Sequence, residues 1–95
     1  MNTNRFATQC FLNDIEIVIN DFETEAPKYI SQIKKPIYGE SVESLIYMPL
    51  HSNKGKVGVI TVQSFQKSAY NEYHVNILRN LAVYAAIALG KCLSV

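Results

Sequence analysis

The chain has 95 residues, which is room for a single domain, and 48% of them are apolar, which is typical of a folded globular protein rather than a disordered segment. Nine Lys and Arg residues against eight Asp and Glu residues leave a formal charge of +1, so no basic surface for nucleic acid or for a membrane is indicated. The sequence shows neither a signal peptide nor the roughly 20-residue apolar run of a membrane-spanning helix, so we expect a cytoplasmic protein.

The first part of the chain predicts two helices with a strand between them. Phe6–Leu12 is apolar on one helical face and is followed by the turn-favouring pair Asn13-Asp14. Isoleucine at every second position predicts a strand over Ile15–Ile19. Thr24 is a suitable N-cap for a helix over residues 25–34, whose first turn is acidic.

After a connector over residues 36–43, the middle of the chain predicts a β-hairpin. Its strands are Leu45–Leu50 and Lys56–Phe65, joined by the turn Ser52–Gly55, in which glycine tolerates a positive φ. Pro49 cannot donate a ladder hydrogen bond, so we expect it at an edge or a bulge. Both faces of the second strand are apolar or small, which is typical of a strand covered on both sides.

The last predicted element is a long helix over Glu72–Cys92, capped by Asn71. The helix carries two adjacent apolar stripes at heptad spacing. The first stripe consists of Val75, Leu78, Ala82, Ala85, Leu89 and Cys92, and the second of Ile77, Leu81, Tyr84 and Ala88. One stripe can pack on the sheet. The other either widens the core face or forms a seam with a second helix, and the pattern leaves both possibilities open.

The hairpin and the last helix resemble those of GAF domains. Ser44–Leu50, the turn that ends at Gly55, and Lys56–Ser64 are similar to the late hairpin of that family, and Tyr70–Tyr73 with the following alanine-rich helix is similar to its terminal helix. The resemblance covers roughly residues 6–92. It implies an α+β fold of profilin-like and PAS-like architecture, with an antiparallel sheet of about three strands and the long C-terminal helix packed on it.

A complete GAF domain is larger and begins with a helix and two further strands. The resemblance therefore implies that residues 1–95 form a single truncated domain, which corresponds to the C-terminal portion of the family fold. In the family, the strand that matches Lys56–Phe65 pairs with the missing first strand, so its edge is expected to be open here. An open apolar edge favours pairing with another chain, and we expect a second copy or a partner chain to cover it.

A homodimer, or a pair with another signalling domain, is the assembly that these features predict. The interface is expected to combine the third strand with the first stripe of the last helix. The predicted interface residues are Val57, Val59, Thr61, Val75, Leu78, Ala82, Ala85, Leu89 and Cys92.

GAF domains commonly bind small molecules, so the resemblance also implies a possible ligand pocket. Its candidate residues are the aromatics Phe22, Tyr29, Tyr38 and Tyr47, which are suited to a planar ligand between the second strand and the preceding helix. The alternative is that these rings fill the core. The residues that mark the cyclic-nucleotide-binding and the tetrapyrrole-attaching members of the family are absent, so no ligand follows from the sequence.

No metal site and no cofactor are predicted. Cys10 and Cys92 have no partners at metal-binding spacing, and neither His51 nor His74 has acidic residues placed for a metal site or a charge relay. A redox enzyme that uses Cys10 as its nucleophile is the one catalytic alternative, since some members of the family reduce methionine sulfoxide. The resemblance therefore implies a non-enzymatic sensory module of a bacterial-type signalling protein, acting by small-molecule sensing, by dimerisation or by both.

Overall fold

The fold has three layers, in which an antiparallel sheet carries short helices on one face and a long helix on the other. The structure is a computed structural model, and it describes residues 4–29 and 42–92 of the chain. In chain order the elements are α1 (Asn4–Asn13), β1 (Ile17–Ile19), α2 (Phe22–Glu25) with a following 3₁₀ turn (Ala26–Lys28), β2 (Ser44–Ser52), β3 (Gly55–Ser64) and α3 (Glu72–Cys92). The α+β arrangement with a long C-terminal helix is confirmed.

The sheet has the order β1-β2-β3, so β2 is its central strand. β1 is short and pairs only with the first half of β2, from Ile19 opposite Leu45 to Ile17 opposite Tyr47. β3 pairs along the whole of β2. Pro49 lies beyond the end of β1 and next to a bulge, which is where a residue without a backbone N–H is tolerated.

Both faces of β2 are buried, and alternate side chains enter different layers of the core. Leu45 and Tyr47 pack with Phe6 and Cys10 of α1 in one cluster. The next side chains along the strand face α3. They are Ile46, Met48 and Leu50, which pack against Val75, Leu78, Ala82 and Ala86.

The second predicted helix and the first predicted strand differ from the structure in where they begin. α2 starts at Phe22 and not at residue 25, so Thr24 lies inside it rather than capping it. The reason is the carboxylate of Glu25, which accepts hydrogen bonds from the N–H groups of Asn20 and Asp21 and so stabilises an earlier start. Residues 30–34 of the predicted helix, and Tyr38, lie outside the described residues.

β1 also begins later than predicted, at Ile17 rather than Ile15. The N–H of Ile15 donates to the carbonyl of Cys10 (3.2 Å), which holds Ile15 against the end of α1. Asp14, between them, has a φ of 56°, a left-handed conformation that aspartate tolerates better than most residues. The residues after α1 therefore form a turn before the strand can start.

A bulge changes the face on which one predicted interface residue lies. The pattern places Val57 on the same face as Val59, but the register between β2 and β3 shifts at Leu50/His51. Val57 consequently packs against the cluster that contains Leu50 and Ala82 in the α3 layer, whereas Val59 packs toward α1. The predicted common face of these two valines is therefore wrong, because the alternation breaks at the extra residue.

A partly buried hydrogen-bond network fixes the start of α3. The hydroxyl of Ser44 donates to the carbonyl of Gln66 (2.6 Å) and accepts from the N–H of Ala69 (3.2 Å). The Asn20 side chain accepts from the N–H of Tyr70 (3.1 Å) and donates to its carbonyl (2.9 Å). The loop that leads into α3 is thus tied to the ends of β1 and β2. Within the described ranges, no helix combines the length and the apolar character that crossing a bilayer requires.

Candidate functional site

The described aromatic residues that were predicted to line a pocket pack in one core cluster around Phe6. Phe22 and Tyr47 are 2% and 3% exposed, and Phe6 lies between them, with its ring centroid 6.0 Å from each. Tyr29 packs at the border of the same cluster. Of the predicted ligand contacts, Tyr38 alone lies outside the described residues. The structure therefore brings three of them together as core-filling side chains, and their role as ligand contacts stays a prediction.

A cavity of about 450 Å³ opens elsewhere, at the edge of the sheet beyond the end of β1. It exists because β2 continues past Tyr47, which pairs with Ile17, the first residue of β1. Its floor is aliphatic and its rim is charged. The lining residues are Asp14, Glu16, Met48, Pro49, His51, Arg79, Ala82 and Val83.

Two polar pairs form the rim of this cavity. Nε2 of His51 lies 2.6 Å from Oδ1 of Asp14. Nε and Nη2 of Arg79 donate to the two carboxylate oxygens of Glu16, at 2.9 and 2.8 Å, in the bidentate geometry that favours this pairing. The hydrogen bonds from Arg79 lower the pKa of Glu16 below its ordinary value. The pair also joins α3 to the residue before β1.

Sequence reasoning missed this rim, because its members come from separate parts of the chain. Asp14 and Glu16 precede β1, His51 is the penultimate residue of β2, and Arg79 lies on α3. No spacing along the sequence connects them, and only the pairing of β1 with β2 under α3 brings them together. The alternation of apolar and charged residues around β1 was the one local sequence feature that pointed to the charged residues of this rim.

Cys10, the candidate nucleophile, is fully buried in the α1 layer. Burial, with a smaller contribution from the Asp14 and Glu16 carboxylates, raises the pKa of its thiol to about 11. Since the thiolate is the reactive form, this thiol is a weak nucleophile at neutral pH. Among the described residues, no group of three or more metal-binding side chains comes together.

His74 takes part in the cap of α3. Its N–H donates to Oδ1 of Asn71 (3.2 Å), and its Nδ1 accepts from the N–H of Asn71 (3.1 Å). These reciprocal bonds satisfy donors at the helix start in the manner of a capping box. The predicted cap at Asn71 is confirmed, and the imidazole of His74 serves the helix start.

The first apolar stripe of α3 turns inward. Val75, Leu78 and Ala82 are buried against β2, so a partner chain does not reach them in the folded molecule. This corrects the predicted interface, since these three belong to the core. Ala85 is half-buried, whereas Leu89 is exposed; the side chain of Cys92 is not described.

The second stripe of α3 turns outward, and we call it the outer stripe. Leu81 is 52% exposed, although it is a large apolar side chain. The outer stripe consists of Ile77, Leu81, Tyr84 and Ala88, all of them exposed. Because one helix cannot bury both stripes against one sheet, the outer stripe is a continuous apolar surface in a single copy.

β3 provides a second surface next to α3. It lies at the end of the strand order, so no described strand pairs with its outer edge. Val59 is half-buried and Thr61 is exposed on this strand. Lys56, its one charged residue, donates to the carbonyl of Phe11 and lies over that ring, 4.9 Å from its centroid. Of the two predicted interaction elements, the edge of β3 is therefore accessible within the described part of the chain.

The comparisons with known proteins agree with this architecture. The model of the GAF domain family matches residues 2–90. A solved structure described as the structure of the GAF domain is similar, with a TM-score of 0.60 and 23% identity over 81% of this chain and 40% of that chain. That similarity shows a shared fold, and the chain spans less than half the length of that structure. No curated protein matches the chain. The chain belongs to the GAF domain family, whose members are generally sensory or regulatory modules.

Proposed function

We propose that the chain is a regulatory module of a cytoplasmic signalling protein and that it acts by associating with a second copy of itself. The observation that carries the proposal is the outer stripe of α3, which leaves large apolar side chains in contact with water. Apolar patches of this kind mark interaction surfaces in soluble proteins. The proposal assigns the chain no catalytic role, and the buried thiol of Cys10 supports this.

The size of the surface indicates that the helix does not act alone. α3 has 21 residues and is therefore about 30 Å long, since each residue adds about 1.5 Å. A strip about 10 Å wide along it covers about 300 Å², whereas a standard interface takes about 800 Å² from each partner. The edge of β3 lies beside the helix and supplies further contact area. We therefore define the interaction surface as the outer stripe together with the outer edge of β3, with which no described strand pairs.

Two matched substitutions on α3 test the proposal. Leu81 belongs to the outer stripe, whereas Val83 is equally exposed (57% against 52%) on the side that faces the cavity. We expect the unmodified chain to be a dimer by size-exclusion chromatography with light scattering. Leu81→Glu should shift it to the monomer, and Val83→Glu should leave it a dimer.

A monomeric unmodified chain over the whole concentration range would refute the proposal. So would a dimer that survives Leu81→Glu. Circular dichroism of both variants checks that each remains folded, which is expected because both positions are exposed.

Small-molecule sensing is a second candidate function, and the cavity beside Arg79 is the observation that favours it. An aliphatic floor with a few converging polar groups is typical of ligand sites. Native mass spectrometry of the freshly purified chain tests it. A reproducible added mass that is lost in His51→Ala would support binding there, and a spectrum with no added mass would argue against it.

A further inference from the structure

We propose that two copies pair edge to edge along β3, with the strands antiparallel, so that one continuous sheet crosses the dimer and both α3 helices lie on the same face of it. This inference rests on the proposed self-association and specifies its geometry. It assigns the second copy as the occupant of the outer edge of β3, which no strand of the described ranges occupies.

The edge of β3 lacks most of the devices by which proteins prevent such pairing. Natural edge strands are short, charged, bulged or interrupted by proline. β3 has ten residues, no proline and one charged side chain, Lys56, near its start. Its bulge also lies near that end, and from Gly58 to Ser64 its register with β2 is unbroken. The regular part of the strand is therefore a suitable template for a second strand.

The opposite edge of the sheet does not offer the same template. β1 has only three residues. Just before it, Glu16 is held by the bidentate hydrogen bonds from Arg79. A second copy would find few backbone groups to pair with there, so the sheet favours pairing at β3.

Symmetry and side-chain direction determine the register. A two-fold axis perpendicular to the sheet makes the paired strands antiparallel and keeps both α3 layers on one face. Opposed residues must then point to the same face. The register that pairs the whole regular run places Thr61 on the axis, opposite its own symmetry mate. Ile60 then faces Val62 on the α3 side, and Val59 faces Gln63 on the other.

This register suits the side chains that it brings together. Two threonines directly opposite each other form a favourable cross-strand pair, and Ile60 with Val62 is an apolar pair. The two Lys56 side chains end up at opposite ends of the paired strands, about 34 Å apart at about 3.4 Å per residue. The one charge on the strand therefore does not oppose the pairing.

The geometry also gives the exposed side of α3 a partner. Arg79 and Val83 lie on the side of α3 that faces β1, since Arg79 contacts Glu16 and Val83 lines the cavity beside β1. At about 100° per residue, Leu81 lies about 160° from both of them, on the opposite side of the helix and toward β3. The two β2 strands are about 14 Å apart in the paired sheet, at about 4.8 Å per strand. Because α3 contacts both β2 and β3, the two helices face each other across the axis on the side that carries the exposed Leu81.

Cysteine cross-linking tests the register with one variant and one matched control. Thr61 and Gln63 are both exposed, lie on the same strand and point to the same face. In the proposed dimer, the Cα atoms of two residues on the axis are about 4.5–5.5 Å apart, within disulfide range. The two copies of Gln63 are about 14 Å apart, which no disulfide bridges.

The experiment uses Thr61→Cys and Gln63→Cys, each in a Cys92→Ser chain that retains the buried Cys10. After mild oxidation, we expect at least tenfold more covalent dimer from Thr61→Cys on a non-reducing gel. Equal cross-linking of the two variants in a chain that light scattering shows to be dimeric would overturn the strand pairing and leave the proposed self-association standing. A chain that is monomeric throughout would overturn both.

Discussion

Tyr47 is the residue whose replacement best separates a core role from a ligand-binding role. Its ring is buried on the central strand and stacked on Phe6, and its hydroxyl accepts a hydrogen bond from Gln63 (3.1 Å). Truncating a buried aromatic side chain to alanine costs about 3–5 kcal/mol, a large part of the roughly 5–15 kcal/mol that stabilises a small domain. We therefore expect Tyr47→Ala to lose about 3–4 kcal/mol in its free energy of unfolding.

Urea unfolding at a fixed protein concentration measures this loss, because self-association adds stability that depends on concentration. With a slope of about 1.5 kcal/mol per molar urea, the midpoint should fall by about 2 M. Tyr47→Phe is the control, since it keeps the ring and loses only a hydrogen bond worth about 1 kcal/mol. A loss below about 1 kcal/mol in Tyr47→Ala would show that the ring lines an open pocket, and the packing argument would be refuted.

Three further substitutions or measurements follow from the structure. Gly55 has a φ of 106°, so Gly55→Ala should lower the free energy of unfolding, measured in urea, by about 1–2 kcal/mol. Gly58→Ala is the control and should leave the free energy of unfolding unchanged, because its added Cβ would lie at an ordinary 3.8 Å from Leu50. Arg79 lowers the pKa of Glu16 from its ordinary 4.5, so the ion pair stabilises the fold above pH 4.5. The Tm of the unmodified chain should therefore exceed that of Arg79→Met at pH 7, and this difference in Tm should shrink as the pH falls below 4.5. A difference in Tm that does not change with pH would contradict this. Burial raises the pKa of the Cys10 thiol to about 11. Iodoacetamide at pH 7.5 should therefore modify this thiol at least a hundredfold more slowly in the folded chain than in the chain unfolded by urea. Equal rates of modification would show that the thiol is accessible in the folded chain.

Local signals were sufficient for the hairpin and for α3. The turn that ends at Gly55 and the alternation on either side of it predict both strands to within two residues. Asn71 marks the start of α3 because its side chain accepts a hydrogen bond from the N–H of His74, an interaction that depends only on residues close in the sequence. The start of α2 was missed, since the side chain of Glu25 and not that of Thr24 stabilises it.

Long-range contacts decide what the sequence left open. Both stripes of α3 are apolar, and the choice of the inner one depends on how the helix sits over β2, which the pairing of Arg79 with Glu16 helps to fix. The bulge that turns Val57 to the α3 layer arises from pairing with β2 and has no signature within β3 itself. An aromatic residue in the core and one that lines a pocket occupy the same positions in a sequence pattern. The burial of Tyr47 therefore became clear only from the structure.

The unequal lengths of the connections between strands have a consequence for how the chain folds. β2 and β3 are joined by a turn between Ser52 and Gly55, whereas pairing β1 with β2 brings Ile19 to Leu45 across a long connection. The entropy lost on closing a loop increases with its length, so the hairpin is favoured to form early. β1 and α1 then add to strands that already exist, and the folding rate should respond more to substitutions in the hairpin than to those in α1.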